Sequence, residues 1–327
     1  MHASRLLRTA VAAAALLALA AAAPAAADTP DERLLRTYQP VTILDPAERL
    51  RPTKVESFIV DSDLERFDGT SWVVVDPNPQ PGNLPVADTG TWRLNQDSCS
   101  SAQPLGGLDC YVAAWLRGSG GDAVYGRVVR SPDSVVLQYW YFYYDNTYSY
   151  TYPASDFIWQ AHEGDWEVVN VVLSSAELPV SVGYSQHCLG ERRAWEDVSR
   201  RGSHPLVYVA SGSHANYFSA GEHPFDPTCV PAEAQALLAQ LGLPLPSDRT
   251  GDGEITGPPA AGGSVTTLHG FGGDDVGWEH FPGFWGELQY FQAPFVGTVP
   301  FGTAPVGPAY KPIWHDPLAA MAVWPQG

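Results

Sequence analysis

Residues 135–144 read VVLQYWYFYY. The run carries no charge, is rich in β-branched and aromatic side chains, and would be apolar on both faces of a strand, which places it at the centre of a sheet. Working outward, shorter runs of the same kind recur at Ser71–Val75, Val124–Val129, Val168–Leu173, Val180–Tyr184 and Leu206–Ala210, each bounded by turn residues. Helical periodicity is scarce. One segment breaks the pattern: Pro231–Leu243, PAEAQALLAQLGL, has proline in the first turn, helix formers throughout and Gly242 near its end. It is the one helix the sequence predicts. Gly251–Gly277 is too rich in glycine and proline for regular elements. There is no internal repeat or linker. The reading is a mainly β fold, a single-domain, jelly-roll-like β-sandwich with one short helix and long Gly/Pro-rich loops.

The chain start has a different character. Arg5 and Arg8 precede an Ala/Leu run over Val11–Ala23, and Ala25–Ala27 offer small residues for cleavage before Asp28. That layout makes 1–27 a secretory signal peptide and 28–327 the β-sandwich domain. The run is shorter than the ~20 residues a membrane span needs, and no later stretch is apolar enough. The whole chain has 18 basic and 36 acidic residues; removing Arg5 and Arg8 leaves 16 − 36 = −20. So acidic a surface excludes nucleic acid and anionic membrane as partners held by bulk charge. It fits a secreted protein or one whose carboxylates hold cations. The four cysteines read as disulfides; of the three pairings they allow, Cys99–Cys110 with Cys188–Cys229 is preferred, because each closes a short local loop.

The chemistry concentrates at His162–Leu173, HEGDWEVVNVVL. With Asp165–Leu173 as a strand, Asp165 and Glu167 share a face with Val169 and Val171, while Trp166, Val168 and Val172 take the other. Two carboxylates ~6.6 Å apart on one face repel unless a cation or shared proton lies between them. His162, one turn before this strand, folds over the same spot. Oxygen ligands suit magnesium or calcium, and the imidazole extends the choice to manganese or zinc. The expected site is therefore a divalent metal ion on His162, Asp165 and Glu167, with His214 or Asp156 as a further ligand. His214 sits in the loop of YVASGSHANYF (208–218), and Asp156 in the stretch before the strand. The competing account is a salt-bridged strand end, the acids pairing Arg192 or Arg193. HExxH is absent, because Gly164-Asp165-Trp166 follows Glu163, and so is a GxSxG elbow. Trp140 and Trp166 are expected in the core.

HEGDWE followed by HPLVYVASGSHANYF (204–218) resembles the family named after vacuolar protein sorting-associated protein 62. YQPVTILDPAERLRPTKVESFI (38–59), FWGE (284–287) and VGPAYKPIWHDP (306–317) are similar to that family's opening and closing segments. More distantly, the motif resembles the Gly-His-Arg-His-Asp-Trp-Glu heptapeptide of secreted necrosis-inducing proteins, which are β-sandwiches. That resemblance implies a cation held by His162, Asp165 and Glu167 beside a pocket for a sphingolipid sugar headgroup. Ala161, Glu163 and Gly164 depart from the heptapeptide, so the ligands carry over and the target does not.

A second ion site is expected in DRTGDGEIT (248–256), where Asp248, Thr250, Asp252 and Glu254 have calcium-loop spacing, with a flexible acidic turn as the bland alternative. Three functions fit these observations. The first is a secreted metal-binding protein recognising an extracellular glycan or lipid headgroup. The second is a metal-assisted hydrolase of glycans or phosphoesters, in which Asp165 and Glu167 could also form an acid/base pair. The third is a structural secreted protein with no metal site.

Overall fold

The computed structural model describes residues 28–326 except 97–98, 100–103, 119–121, 152–155, 231, 272–276, 288, 294–296 and 303. The segment read as a signal peptide lies outside them. The chain opens with α1 (Pro30–Tyr38), started by a capping box in which Thr29 and Glu32 each bond the other's backbone N–H. It continues through β1 (Val41–Leu44), α2 (Val55–Val60), β2 (Ser62–Phe67), β3 (Trp72–Asp76), β4 (Trp92–Gln96) and α3 (Pro104–Gly118). Then come β5 (Ala123–Arg130), β6 (Ser134–Thr151), β7 (Asp156–Ser174), β8 (Pro179–Gln186) and β9 (Leu189–Ala194). The next strands are β10 (Arg200–Arg201), β11 (His204–Val209), β12 (Asn216–Tyr217) and β13 (Gly221–Pro224), followed by α4 (Ala232–Leu241). After α4 come β14 (Ser247–Thr250), β15 (Ile255–Gly257), β16 (Ser264–Val265), β17 (Thr267–Gly270) and β18 (Phe284–Trp285). Near the end of the chain lie α5 (Pro312–His315) and α6 (Pro317–Ala322).

The central sheet has the order β17-β5-β6-β7-β8-β9, and β6, the VVLQYWYFYY strand, lies inside it. Its two faces go to different layers. Tyr139, Tyr141 and Tyr143 meet the second sheet, β10-β11-β1-β15-β16, and the elements around it. The Tyr139 hydroxyl donates to Leu35 O of α1, the β8 residue Tyr184 donates to Leu206 O of β11, and Tyr143 stacks on His214 just beyond β11. Trp140, Phe142 and Tyr144 face the other way. Phe142 packs on Phe58 of α2 and Trp285 of β18, and Trp140 on Trp166 of β7. The sheet-on-sheet contact makes the fold a β-sandwich. One cluster of buried apolar residues runs from Leu35 to Trp324. Both tryptophans belong to it: Trp140 is 0 % and Trp166 2 % exposed.

Three local readings need correction. First, α1 and α3 join α4, so the fold holds more than the one expected helix. Thr29-Pro30-Asp31-Glu32 is a helix-start signature, and Gly106 and Gly107 mask the amphipathic pattern of α3. Second, β6 and β7 run for 18 and 19 residues, far beyond their apolar stretches. The additions are polar residues paired across the hairpin, such as Asp145 with Glu163 and Asn146 with His162. Third, β15, β16 and β17 lie inside Gly251–Gly277, zipped onto β1 and β5 by backbone bonds that need no apolar pattern. The disulfides are Cys99–Cys110 and Cys188–Cys229. No helix among the described residues is long and apolar enough to cross a membrane.

Candidate functional site

The site is built on a break in β7. Gly164 has φ 54°, and a Cβ there would stand 2.1 Å from Trp285 O, so the left-handed conformation and the close approach both require glycine. The break upsets the alternation of side chains. Glu163 turns toward α3 and β4, accepting the Tyr111 hydroxyl (2.7 Å) and the N–H groups of Gln96 (3.2 Å) and Glu287 (3.0 Å). Asp165 and Glu167 share the opposite face, as their spacing requires, and His162 joins them. It does so from within the strand and not from a turn before it. All three line one cavity of about 650 Å³, walled also by Asn146, Ser185, His187 and Lys311.

Each side chain there has a defined state. His162 Nδ1 lies 2.8 Å from Gly164 O, so Nδ1 carries the proton and donates, and Nε2 keeps its lone pair. Burial holds this imidazole below its ordinary pKa despite the Asp165 charge, so it is neutral. Asp165 Oδ2 accepts from His214 Nδ1 (3.0 Å) and Asn146 Nδ2 (3.4 Å). Burial would raise this carboxyl, but the His214 hydrogen bond and the charges of His214 and Lys311 take it below the ordinary value. Glu167 is pushed up to about 8 by burial and then by the Asp165 charge, and its Oε2 accepts from the Ser185 hydroxyl. The Lys311 ammonium donates to Trp166 O (2.7 Å); burial lowers its pKa against the pull of Glu167 and Asp165.

His214 is a cation. It is fully buried at φ 53° and stacks on Tyr143, with Nδ1 on Asp165 and Nε2 3.5 Å from Glu48 Oε2. Burial opposes its charge, but Glu48 and Asp165 push it up to about 10. With a carboxylate at each ring nitrogen it supports Asp165 from behind, which corrects its expected part as a metal ligand. Asp156 is the first residue of β7, six positions before His162, and its side chain lies outside the described residues. Among the described residues the arginine account of the cluster also fails: Arg193 pairs with Glu191 and lies over Phe218, and Arg192 Nε is buried without a hydrogen-bond partner. The calcium loop is dismantled by β14. Asp248 is buried and accepts from His187 Nε2, the Ser213 hydroxyl and the Tyr217 hydroxyl. Thr250 bonds Ser219 O, Glu254 pairs with Arg51, and Asp252 is exposed. These bonds commit Asp248 and Thr250 to protein partners, so the stretch does not gather its side chains around one ion.

Among the described residues no three His, Cys, Asp or Glu side chains are grouped so as to hold a metal ion. The donor chemistry along the cavity nevertheless fits a divalent cation. His162 Nε2, Asp165 Oδ1 and Glu167 Oε1 meet no protein donor among the described residues, since the hydrogen bonds of each group use its other atom. Asn146 Oδ1 is buried with no hydrogen-bond partner among the described residues. An imidazole whose Nδ1 is fixed by a carbonyl is arranged as metal-bound histidines are. Asn146, Ser185, Glu48 and Lys311 escaped the sequence reading. Glu48 and Lys311 lie in stretches that carry the family resemblance, and Lys311 is one of two lysines in the chain. Asn146 and Ser185 left no signal.

No family model matches the chain. It is similar in sequence to the putative vacuolar protein sorting-associated protein TDA6 of Saccharomyces cerevisiae (strain ATCC 204508 / S288c). The two are 27% identical over 188 residues, which are 50% of this chain and 37% of that protein. The chain thus spans well under half of that relative's length. Among solved structures it is similar to a toxin fold for microbial attack and plant defense, at 14% identity and TM-score 0.34, covering 57% of this chain and 67% of that one. It is also similar to Necrosis and Ethylene inducing Protein 2 from the causal agent of cocoa's Witches Broom disease, at 12% identity and TM-score 0.34, covering 76% and 78%. A third likeness is to NLPPya in complex with glucosamine, at 13% identity and TM-score 0.32, covering 58% and 66%. Both resemblances read from the HEGDWE motif therefore reappear, one by sequence and one by structure, at a distance that leaves the functional argument to the site itself.

Proposed function

We propose that this is an exported protein that binds a divalent cation at His162, Asp165 and Glu167 and, beside it, the polar headgroup of an extracellular glycan or lipid. The observation that carries the reading is the set of three acceptor atoms along one cavity, without protein donors among the described residues, one of them an imidazole held in the metal-binding tautomer. Asn146, with its orphaned amide oxygen, is the fourth ligand of choice. Two carboxylates, an amide oxygen and one imidazole suit magnesium, calcium, manganese or zinc. When bound, the ion would offer open positions to hydroxyl or anionic oxygens. A cavity of about 650 Å³ falls in the range of small-molecule sites. The two disulfides suit an oxidising compartment, in keeping with export by residues 1–27.

Metal analysis of purified protein, wild type beside Asp165→Ala, tests this, with thermal unfolding in added magnesium, calcium, manganese or zinc. Stoichiometric metal in the wild type and its loss in the variant are expected. A wild type that carries no ion and gains no stability from any of the four rejects the site. Glycan and lipid arrays with and without chelator then test the headgroup, and chelator-sensitive turnover of a glycan or phosphoester would make the protein a hydrolase.

A further inference from the structure

The wall facing the carboxylates is cationic. A lysine ammonium has three donors, and Lys311 gives one to Trp166 O while forming no ion pair with Asp165 or Glu167 among the described residues. Its remaining donors are left to the cavity it lines. The backbone that carries it is fixed just downstream. Gln138 Nε2 donates to Ile313 O (2.9 Å) and Arg127 Nη1 to Trp314 O (2.6 Å). Further on, Met321 and Trp324 fill the space left by Gly183 and Gly190 of β8 and β9. Lys311 is thus held in place before any ligand arrives.

The charge on the cavity then depends on the metal. Asp165 and Glu167 must both be ionised to hold an ion, and with Lys311 they sum to −2 + 1 = −1. His162 holds an ion only as the neutral imidazole, His187 is bonded to Asp248, and His214 lies between Asp165 and Glu48. A divalent ion takes the sum to −1 + 2 = +1, reversing the sign of the site. Resting on the metal reading above, the geometry points to a ligand bearing an oxyanion, a phosphate, sulfate or carboxylate oxygen, gripped between the bound cation and the Lys311 ammonium. Lys311 is then the residue that selects a charged headgroup over a neutral sugar.

The test uses the full mature chain loaded with manganese and titrated calorimetrically with dimethyl phosphate, sulfate, glucuronate and, as the neutral control, glucose. The first three also separate a lipid phosphodiester from a sulfated or acidic sugar as the source. The loaded wild type should bind at least one anionic probe about tenfold or more tightly than glucose, the size of a hydrogen bond to a charged group. Chelator should abolish this preference. Lys311→Met should bind that anion about tenfold more weakly, bind manganese more tightly for want of a competing charge, and leave glucose unchanged; Lys311→Arg should retain anion binding. Should Lys311→Met not fold, Lys311→Gln and the wild-type comparison with and without metal still decide. A wild type that binds metal but prefers glucose, or a Lys311→Met protein that binds metal and the anion as the wild type does, overturns the inference and leaves the metal site standing. Failure of the wild type to bind metal overturns both.

Discussion

Replacing Gly164 by alanine adds one methyl group at the break in β7. Two costs follow, and the structure separates them. An L-residue at φ 54° costs about 1–2 kcal/mol of backbone strain. The new Cβ would also stand 2.1 Å from Trp285 O, where contact distances are roughly 3.3 Å, so backbone must move by about an ångström. Overpacking of that kind costs about 1–3 kcal/mol, giving a total of about 2–5 kcal/mol. Gly202 supplies the control. Its φ is 64°, yet nothing lies within 4 Å of its Cβ position, so Gly202→Ala should cost only the strain, about 1–2 kcal/mol. Urea unfolding of both variants beside wild type measures the two costs, provided the m-values agree. The Gly164→Ala protein should also bind metal more weakly, because a relaxed strand would return His162 toward the opposite face from Asp165. If both variants lose the same stability to within about 0.5 kcal/mol, the contact with Trp285 is not what makes Gly164 necessary.

Two further outcomes are expected. Removing the Cys188–Cys229 bridge by a double serine substitution should cost about 4 kcal/mol of chain entropy for a loop of 41 residues; a non-reduced peptide map joining Cys188 to Cys99 would refute the connection. The metal-free protein should lose stability as the pH rises from 7 to 9. Glu163 and Glu167, each raised from 4.5 to about 8, and His214, raised from 6.5 to about 10, keep protons when folded that the unfolded chain has released. Their stabilisation is complete below the unfolded values and is lost as the pH climbs through the folded ones. Starting at pH 7 avoids His162, whose lowered pKa works in the opposite direction below 6.5. Urea midpoints in chelator at pH 7, 8 and 9 should fall, and a flat or rising series would contradict the charge states assigned to these groups.

The sequence by itself determined the apolar strands of the central sheet and which residues after Gly164 share a face. VVLQYWYFYY could only be a strand buried on both sides, because its side chains have no polar face to offer water. The period of two placed Asp165 and Glu167 together and Trp166 behind them, and short local loops led to both disulfides. What the sequence left open are the contacts made between distant segments. Polar residues such as Asn146 and His162 lengthen the central hairpin because they pair with each other across it, a gain invisible along either strand. His162 reaches the carboxylates because Gly164 can take a left-handed turn under Trp285, some 120 residues away in the chain. His214 looked like a ligand until Glu48 was found at its other nitrogen, and Asp248 looked like a calcium ligand until β14 carried it to His187 and Tyr217. Lys311 closes the cavity from the far end of the sequence. Charge and hydrogen bonding act through space at a few ångströms, so tertiary packing decides which acids meet a cation, and which cation it is.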